Sequence, residues 1–434
     1  MISDLRKAFN ARYRPENYGE LLAEADARAG TRVEFRVAET PIFLPEELLS
    51  SIAVAGAELA RNLLGWPEYL AAAQASIPEG FRVGGESAHP NFLTADFALV
   101  RGEDGTLLPK LVEMQAFPSV YAYQAMIGDV YREVYQLPDS LEMFLGGLDE
   151  KGFWELFRRT VLGNHAPESV VLTEVDPLHQ KTLPDFLLTS AALGIAVVDI
   201  ASLIPIGNKL HYRNPHGQLT PIHRIYNRAI ADEMIARKIE LPFNLQDAWD
   251  VEWAGHPNWY FLMSKYSIPW LWHPPEATAG GTSEFALGES SRSVVPPAVF
   301  LSDFLEGQGR AWLAEAGVPL PEGESGVYDE LLLKPLFSFA GKGIQFGPSH
   351  AELLAIPIEQ RGDYLLQQRM YFVPTIETPF GLTQAEIRIL YLWPDGGTLT
   401  PALSLVRLGR GKMMGVDHNR NQEWVGGSAA FWRR

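Results

Sequence analysis

The sequence predicts a fold of the mixed α/β (α+β) class, and three segments indicate it. Residues 45–66, PEELLSSIAVAGAELARNLLGW, carry apolar side chains at the spacing of a helix that ends near Gly65. Residues 91–117, NFLTADFALVRGEDGTLLPKLVEMQAF, contain two strand-like runs around the turn GEDGT, which predicts a hairpin. Residues 168–200 run from ESVVLTEV through PDFLLTSAALG to IAVVDI, which predicts a βαβ unit with parallel strands.

Further elements are expected along the rest of the chain. NKLHYRNPHGQLTPIHRIYNR, at 208–228, predicts a second hairpin that turns at residues 214–217. The Gly-, Ser- and Pro-rich stretch at 274–294 predicts a long exposed loop, either a lid or a linker. Beyond it, LLLKP at 331–335, YLLQQRM at 364–370 and AEIRILYLW at 385–393 are typical of strands.

Composition and charge limit the function classes. Hydrophobic residues make up 47% and charged residues 21% of the chain, which is typical of a folded protein. Its 434 residues are enough for two or three domains or for one large elaborated domain. The net charge of −17, from 36 basic and 53 acidic residues, argues against a nucleic-acid partner, because such binding rests on clustered lysine and arginine.

Cysteine usage and apolar runs bear on the compartment. The chain has no cysteine, which excludes disulfides, thiolate metal sites and cysteine nucleophiles and favours a reducing cytoplasm. Its first residues lack the apolar region of a signal peptide. The longest apolar run, at 191–207, is interrupted by Asp199 and is too short to span a membrane. We therefore expect a cytoplasmic protein with no membrane partner.

The stretch LLLKPLFSFAGKG, at 331–343, is the first candidate site. Lys334 lies at the end of a predicted strand, and a glycine-containing loop with Lys342 follows. Glycines let backbone N–H groups approach phosphate oxygens, and a lysine at the strand end adds a positive charge. A surface hairpin with a solvated lysine is equally compatible with the pattern. Neither a P-loop nor a G-x-S-x-G or H-E-x-x-H motif occurs in the chain.

The second candidate site lies on the first hairpin. Asp96 and Glu113 stand on its two predicted strands, and Gln115 shares a strand face with Glu113 because residues two apart point the same way. Carboxylate and amide oxygens of this kind suit Mg²⁺, which also binds substrate phosphates. The alternative is a solvated hairpin face.

Several segments together resemble one known family. KPLFSFAGKGI resembles the strand and glycine-rich loop of ATP-grasp enzymes, in particular the circularly permuted branch that includes glutathionylspermidine synthetase. ADFALVRGEDGTLLPKLVEMQAFP is similar to the metal-binding strands of that branch, HPNWYFLMSKYSIPWLW to the segment with its first nucleotide lysine, and YLLQQRMYFVP to the strand before its adenine hinge. The matching segments occur in the family's order.

The resemblance implies a circularly permuted ATP-grasp fold with a preceding βαβ domain. It implies an N-terminal helical segment at 1–90, metal-binding strands plus helices at 91–163, a βαβ domain at 164–240 and a nucleotide-binding part at 241–434. It also implies ATP and Mg²⁺ as cofactors and small-molecule carboxylate and amine substrates. The implied metal ligands are Asp96, Glu113 and Gln115, and the implied nucleotide-binding residues are Lys265, Lys334, Ser338, Ala340, Gly341, Lys342, Gly343, Gln367, Gln368 and Met370.

The implied activity is that of an ATP-dependent carboxylate–amine ligase that passes through an acyl phosphate. Arg388 would neutralise phosphates or the substrate carboxylate, although a structural pair with Glu386 or Asp395 is an equal alternative. The family's asparagine is Gln115 here, and the alternative function is a non-catalytic protein that binds nucleotide or acts as a scaffold. In an unpermuted order, Asp417, His418 and Asn419 would instead hold the metal.

Overall fold

The computed structural model describes residues 1–273, 288–323, 326–337, 341–415, 419 and 421–433. The α-helices in these residues are α1 (Ser3–Arg12), α2 (Pro15–Ala29), α3 (Glu46–Leu64), α4 (Pro67–Ala75), α5 (Tyr121–Val134), α6 (Glu150–Leu162), α7 (Leu183–Leu193), α8 (Ala231–Arg237), α9 (Trp259–Leu262), α10 (Ser267–Trp272), α11 (Glu289–Ser293), α12 (Leu301–Leu305), α13 (Gln308–Glu315) and α14 (His350–Leu354).

The strands of the described residues form four sheets. They are β1 (Ile42–Phe43), β2 (Phe92–Arg101), β3 (Leu107–Gln115), β4 (Leu141–Glu142), β5 (Val170–Glu174), β6 (Ala196–Asp199), β7 (Ile204–Ile206), β8 (Lys209–Arg213), β9 (Leu219–Pro221), β10 (Arg224–Asn227), β11 (Glu252–Ala254), β12 (Ala298–Phe300), β13 (Leu331–Pro335), β14 (Gln345–Phe346), β15 (Tyr364–Gln368), β16 (Ile376–Thr378), β17 (Gly381–Leu392), β18 (Thr400–Gly409) and β19 (Gly426–Arg433).

The largest sheet has eight strands and is mixed. Its order is β1-β19-β18-β17-β2-β3, with β16 beside β17 and β4 beside β19. Strand β1 pairs in parallel with β19, whereas the long central strands are antiparallel. The predicted mixed α/β class is therefore confirmed.

The strands of two smaller sheets lie between β4 and β16 of the large sheet in the chain order. The sheet β11-β10-β5-β6 is parallel, and the sheet β12-β15-β13-β14 is antiparallel. A three-stranded sheet, β7-β8-β9, completes the set. No helix among the described residues is both long enough and apolar enough to cross a membrane.

Most of the predicted elements are confirmed at their expected places. The helix at 45–66 is α3, the hairpin at 91–117 is β2 and β3, and the βαβ unit is β5, α7 and β6 with parallel strands. The hairpin prediction at 208–228 holds only for β8 and β9, because β10 joins the parallel sheet instead. In the predicted loop at 274–294, residues 274–287 lie outside the described residues, and Glu289–Ser293 is helical.

One face of the large sheet packs on α3 through a very close contact. A β-carbon placed on Gly56 of α3 would lie 2.3 Å from the hydroxyl oxygen of Tyr391 on β17. That hydroxyl donates a hydrogen bond to the carbonyl of Ala53 at 2.8 Å. The helix approaches the sheet this closely because residue 56 has no side chain.

We expect Gly56→Ala to destabilise the protein by about 1–3 kcal/mol, because the added methyl group must displace the buried Tyr391 ring or break its hydrogen bond. Gly19→Ala is a matched control, since Gly19 lies within α2 and a β-carbon placed there would meet no described atom within 4 Å. Alanine favours a helix over glycine by about 1 kcal/mol, so the control is expected to be neutral or stabilising. Urea unfolding of both variants measures the difference, and equal stabilities would contradict this packing.

The opposite face of the large sheet divides into an apolar and a polar part. Leu390 and Leu392 of β17 pack in the core that α5 covers. Arg388 and Glu386 follow on the same face because side chains alternate along a strand. The sheet β12-β15-β13-β14 contacts β3 beside this polar part, since Lys334 of β13 donates to the carbonyl of Val112 at 3.3 Å. This polar part of the sheet contains the candidate site.

Candidate functional site

Three charged residues lie side by side across neighbouring strands of the large sheet. The pairing register places Asp96 of β2 directly opposite Glu113 of β3 on one side and Arg388 of β17 on the other. The prediction that Asp96 and Glu113 lie on adjacent strands is therefore confirmed. Their roles in binding a metal stay predictions.

Asp96 is buried and bound to two arginines. Its carboxylate accepts hydrogen bonds from Nε and Nη2 of Arg388 at 2.5 and 2.6 Å, and from Nη1 of Arg407 at 3.0 Å. Burial acts to raise the pKa of Asp96, but the two guanidinium groups outweigh burial and hold the pKa below its usual range. Asp96 is thus an ionised anchor for Arg388 and Arg407.

Two carboxylates, Glu386 and Asp395, were the predicted alternative partners of Arg388. Both form their ion pairs with other arginines. Glu386 pairs with Arg407, and Asp395 pairs with Arg224 at 2.8 Å. The structural role of Arg388 is therefore a pair with Asp96 rather than with either of the two expected carboxylates.

Arg407 links Asp96 to a second buried carboxylate. Its guanidinium group also donates to Glu386 of β17, which lies opposite it in the register. Burial raises the pKa of Glu386, and the nearby carboxylates of Asp96 and Glu113 raise it further, whereas Arg407 and Arg388 lower it. The sequence interpretation missed Arg407. The segment SLVRLG could have revealed it, because its side chains alternate between the two faces of a strand. The arginine takes a position on a covered face of the sheet, which an apolar residue would normally fill.

Glu113 is the more accessible carboxylate of the group. It lies 3.6 Å from Nζ of Lys265 and 3.6 Å from Nη2 of Arg388, so neither contact is a close hydrogen bond. Its side chain is 21% exposed, compared with 1% for Asp96. Glu113 can therefore offer its oxygens to a ligand without losing a tight ion pair.

Both predicted nucleotide lysines are buried beside Glu113. Lys265 precedes α10, and Lys334 lies near the end of β13, where its ammonium group donates to the carbonyl of Val112 at 3.3 Å. The pKa of Lys334 is lowered to about 8, because burial and the charge of Lys265 lower it by more than the carboxylate of Glu113 raises it. Lys334 is thus a buried amine whose charge is stabilised only in part by its surroundings.

The group as a whole carries a small excess of positive charge. Four basic side chains, those of Lys265, Lys334, Arg388 and Arg407, surround three carboxylates, those of Asp96, Glu113 and Glu386. We name these seven residues the charged cluster. Because the cluster is largely buried, its charges act through a medium that screens them less than water does. An anion such as a polyphosphate would be attracted to it.

The glycine-containing loop is described in part. Gly341 and Gly343 have φ angles of +73° and +79°, a conformation that glycine adopts at little cost. Ser338 and Ala340 lie outside the described residues. Lys342 is close enough to Asp232 of α8 for its charge to lower the pKa of that carboxyl, which burial raises. Asp232, which also accepts a hydrogen bond from Tyr260 at 2.7 Å, is a second residue that the sequence interpretation missed.

The residues predicted to hold adenine lie at the end of β15. Gln367 is buried, and its amide donates to the carbonyl of Leu111 on β3 at 3.4 Å. Among the described residues, the side-chain oxygen of Gln367 is buried without a hydrogen-bond partner, so this amide has an unused acceptor. Gln368 and Met370 are half-buried at the strand end and beyond it. These positions are compatible with a hinge between β15 and β16, and their role in binding adenine stays a prediction.

A serine connects the charged cluster to the parallel sheet. Arg388 donates to the hydroxyl of Ser119 at 3.4 Å, while the carbonyl of Ser119 accepts a hydrogen bond from Arg228 at 2.8 Å. Arg228 follows β10 and forms a buried ion pair of 2.6 Å with Asp185. The carboxyl ends of parallel strands are the usual place for ligands in α/β folds. The carboxyl end of β10 is therefore connected to the charged cluster through Arg228 and Ser119.

The described residues supply only some of the oxygen donors that a magnesium ion needs. No set of three or more histidine, aspartate and glutamate side chains in the described part of the chain is arranged to bind a metal. Both oxygens of Asp96 are engaged by arginines, which leaves Glu113 and Gln115 as the accessible oxygen donors of the predicted three. Gln115 lines a small pocket together with Lys265. One carboxylate and one amide suffice for Mg²⁺ only if phosphate oxygens supply further ligands.

The alternative metal ligands near the C-terminus are mostly not described. Asp417 and His418 lie outside the described residues. Asn419 is buried, and its amide group donates to the carbonyl oxygens of Met413 and Gly415 at 3.1 and 3.2 Å. Asn419 therefore has a structural role in fixing its own loop.

One of the similar solved structures supports the fold. No family model and no curated protein matches the chain. Among solved structures, a glutathione synthetase-like effector from Globodera pallida in its apo form is 12% identical, with a TM-score of 0.55, over 96% of this chain and 99% of that one. A protein named "Putative gamma-glutamylcysteine synthetase" from Methylobacillus flagellatus is 13% identical, with a TM-score of 0.37, over 90% of this chain and 89% of that one.

At 12% identity, the likeness to the Globodera pallida protein concerns the fold alone. It extends over nearly the whole of both chains. The chain thus has a mixed α/β fold similar to that of the Globodera pallida protein. The circular permutation and the domain limits stay predictions.

Proposed function

We propose that this protein is an ATP- and Mg²⁺-dependent carboxylate–amine ligase that passes through an acyl phosphate. The observation that carries the proposal is the pair of buried lysines, Lys265 and Lys334, beside the accessible carboxylate of Glu113. Burial of an ammonium group costs free energy, and an anionic ligand beside it would offset part of that cost. The glutathione synthetase-like fold supports the same class of reaction by analogy.

In this proposal the charged cluster binds the polyphosphate of ATP. Lys334 and Lys265 contact the α- and β-phosphates, and the loop at 338–343 covers the phosphoryl group to be transferred. Glu113 and Gln115 would hold Mg²⁺, which supplies charge neutralisation between phosphates. Asp96 keeps Arg388 and Arg407 in fixed orientations, so that Arg388 points its charge at the substrate carboxylate or the transferred phosphoryl group.

The chain's own groups would then favour both steps of the reaction. In the first, a substrate carboxylate oxygen attacks the γ-phosphorus and ADP leaves, which gives the acyl phosphate. In the second, an amine attacks the acyl carbon, phosphate leaves and the amine loses a proton. The second step requires that water be excluded, since an acyl phosphate hydrolyses readily. Asp232, near Lys265 and Lys342, is a carboxylate suited to orient a cationic amine.

Incubation with ATP, Mg²⁺ and pools of carboxylic acids and amines tests the proposal. We expect ADP, phosphate and a condensed product by mass spectrometry, and an acyl hydroxamate when hydroxylamine replaces the amine. AMP and pyrophosphate would instead indicate an acyl adenylate. Turnover that is absent with every pool, together with retained ATP binding, would favour a second function.

That second function is a non-catalytic nucleotide-binding protein. The engagement of Asp96 by two arginines favours it, because a residue at a predicted metal-binding position is already neutralised by the protein. The substitution of the family's asparagine by Gln115 points the same way. Both functions predict ATP binding at the charged cluster, and only the ligase predicts the hydroxamate.

Binding of ATP is expected to take up a proton above pH 8. Lys334, whose pKa is lowered to about 8 by burial, is largely neutral at pH 8.5 in the free protein. Phosphates beside it favour the charged form and raise its pKa, so binding protonates it. The affinity for ATP should consequently fall as the pH rises through this range.

Calorimetry at pH 8.5 in two buffers of different ionisation enthalpy measures this uptake directly. The binding enthalpy should differ between the buffers for the wild type and not for Lys334→Arg, because arginine stays charged. Equal enthalpies in both buffers for the wild type would show that Lys334 does not change its charge on binding.

A further inference from the structure

A pocket outside the charged cluster has the chemistry of a cation site. Its volume is about 430 Å³, and the described residues that line it belong to α10, β12, α12 and α13 and to the segments next to them. Pockets that hold small molecules are commonly about 300–1,000 Å³. None of the seven residues of the charged cluster is among the described residues that line this pocket. It is therefore separate from the proposed ATP site.

Aromatic rings make up much of the pocket wall. Trp270, His273, Phe300 and Trp312 all line it, and the rings of His273 and Trp312 lie 4.0 Å apart between centroids. Neighbouring rings hold two of these side chains in place, since Trp66 meets Trp270 edge-on at 5.1 Å and Tyr266 lies 5.1 Å from Phe300. Aromatic faces carry a negative partial charge that attracts organic cations.

A single carboxylate adds a negative charge to the aromatic pocket. Asp303 of α12 lines the pocket, and among the described lining residues there is no lysine or arginine. Burial and the neighbouring carboxylate of Glu306 raise the pKa of Asp303, whereas the hydroxyl of Ser302 lowers it. No ion pair to Asp303 occurs in the part of the chain that the structure describes. Its charge is consequently left for a ligand to neutralise.

We propose that this pocket binds a small organic ammonium ion, with Trp270, Trp312 and Phe300 around the cationic head and Asp303 as its counter-ion. A metal ion fits less well, because one carboxylate among aromatic rings cannot replace its water ligands. A neutral aromatic ligand would leave Asp303 without a cationic partner among the described residues. The proposal does not depend on the ligase function, since it uses none of the same residues.

Choline is a suitable probe, and 3,3-dimethylbutan-1-ol is its neutral isostere. Titration calorimetry of the full chain at pH 8 measures the binding of each compound. We expect one choline per chain and at least about tenfold weaker binding of the isostere, which has the same shape but no charge. Equal binding of both, or no binding of choline, would overturn the proposal.

Two variants and one control locate the site. Trp312→Ala and Asp303→Asn should each weaken choline binding about tenfold or more, through the loss of a ring face and of the counter-ion. Glu306→Gln removes a charge from the residue that follows the same helix but does not line the pocket, and it should change the affinity less than about twofold. Choline binding that survives both pocket variants would place its site elsewhere and reject the proposal. Asp303→Asn alone decides the matter if Trp312→Ala does not fold.

Discussion

Asp96→Asn is expected to destabilise the protein by about 3–5 kcal/mol, since it removes one partner from a buried ion-pair network and leaves the other charges uncompensated. Asp96 is 1% exposed, and three hydrogen bonds from Arg388 and Arg407 converge on its carboxylate. Asparagine has the same size, so no cavity contributes to the loss. Urea unfolding measures the change in the free energy of unfolding.

The matched control for this variant is Asp4→Asn. Asp4 pairs with Arg433 at 3.2 Å on the surface, where its side chain is 67% exposed. Exposed ion pairs contribute about 0–1 kcal/mol, so this variant should lose little stability. If Asp96→Asn lost no more than the control, the arginines would not depend on Asp96, and its carboxylate would be free for the predicted metal.

Glu113→Ala is expected to abolish the gain in ATP affinity that Mg²⁺ provides. Glu113 is the one carboxylate of the predicted metal set whose oxygens are not tightly paired in the described part of the structure. Without Mg²⁺, Glu113→Ala should instead raise the affinity for ATP, because removal of a negative charge next to Lys265 and Arg388 favours binding of the bare polyphosphate. Calorimetric titration of ATP with and without Mg²⁺ separates the two effects.

Asp417→Ala tests the alternative order of the metal-binding segments. If the predicted permuted order is right, this variant keeps the Mg²⁺-dependent gain in affinity. Loss of the gain in Asp417→Ala, with its retention in Glu113→Ala, would mean that the metal ligands follow the nucleotide loop in sequence.

Local patterns were sufficient to predict the hairpin and the strand-end lysine. The two strand-like runs around the turn placed Asp96 and Glu113 on adjacent strands, but the two residues face each other directly only because the register shifts between Asp96 and Phe97, which the turn does not reveal. Lys334 could be placed at a strand end because LLL before it is typical of a buried strand. In both cases the information lies within about one hairpin of sequence.

The pairing of Asp96 with arginines could not be predicted in the same way. Arg388 lies 292 residues from Asp96 in sequence, and it reaches that carboxylate only because β17 forms next to β2. Alternation along AEIRIL shows which face Arg388 occupies, but it carries no information on the neighbouring strand. The same limit explains why Arg407 was missed and why β10 was assigned to a hairpin rather than to the parallel sheet.

Calorimetric titration of Mg²⁺-ATP into the wild type and Lys334→Ala decides whether the charged cluster is an ATP site. We expect one ATP per chain for the wild type and a loss of about 1.5–3 kcal/mol in Lys334→Ala, the contribution of a charge-assisted contact. Lys151→Ala, which removes a lysine that is 83% exposed, should bind as the wild type does. Equal ATP affinity in the wild type and Lys334→Ala, or no ATP binding at all, would show that the cluster does not bind ATP.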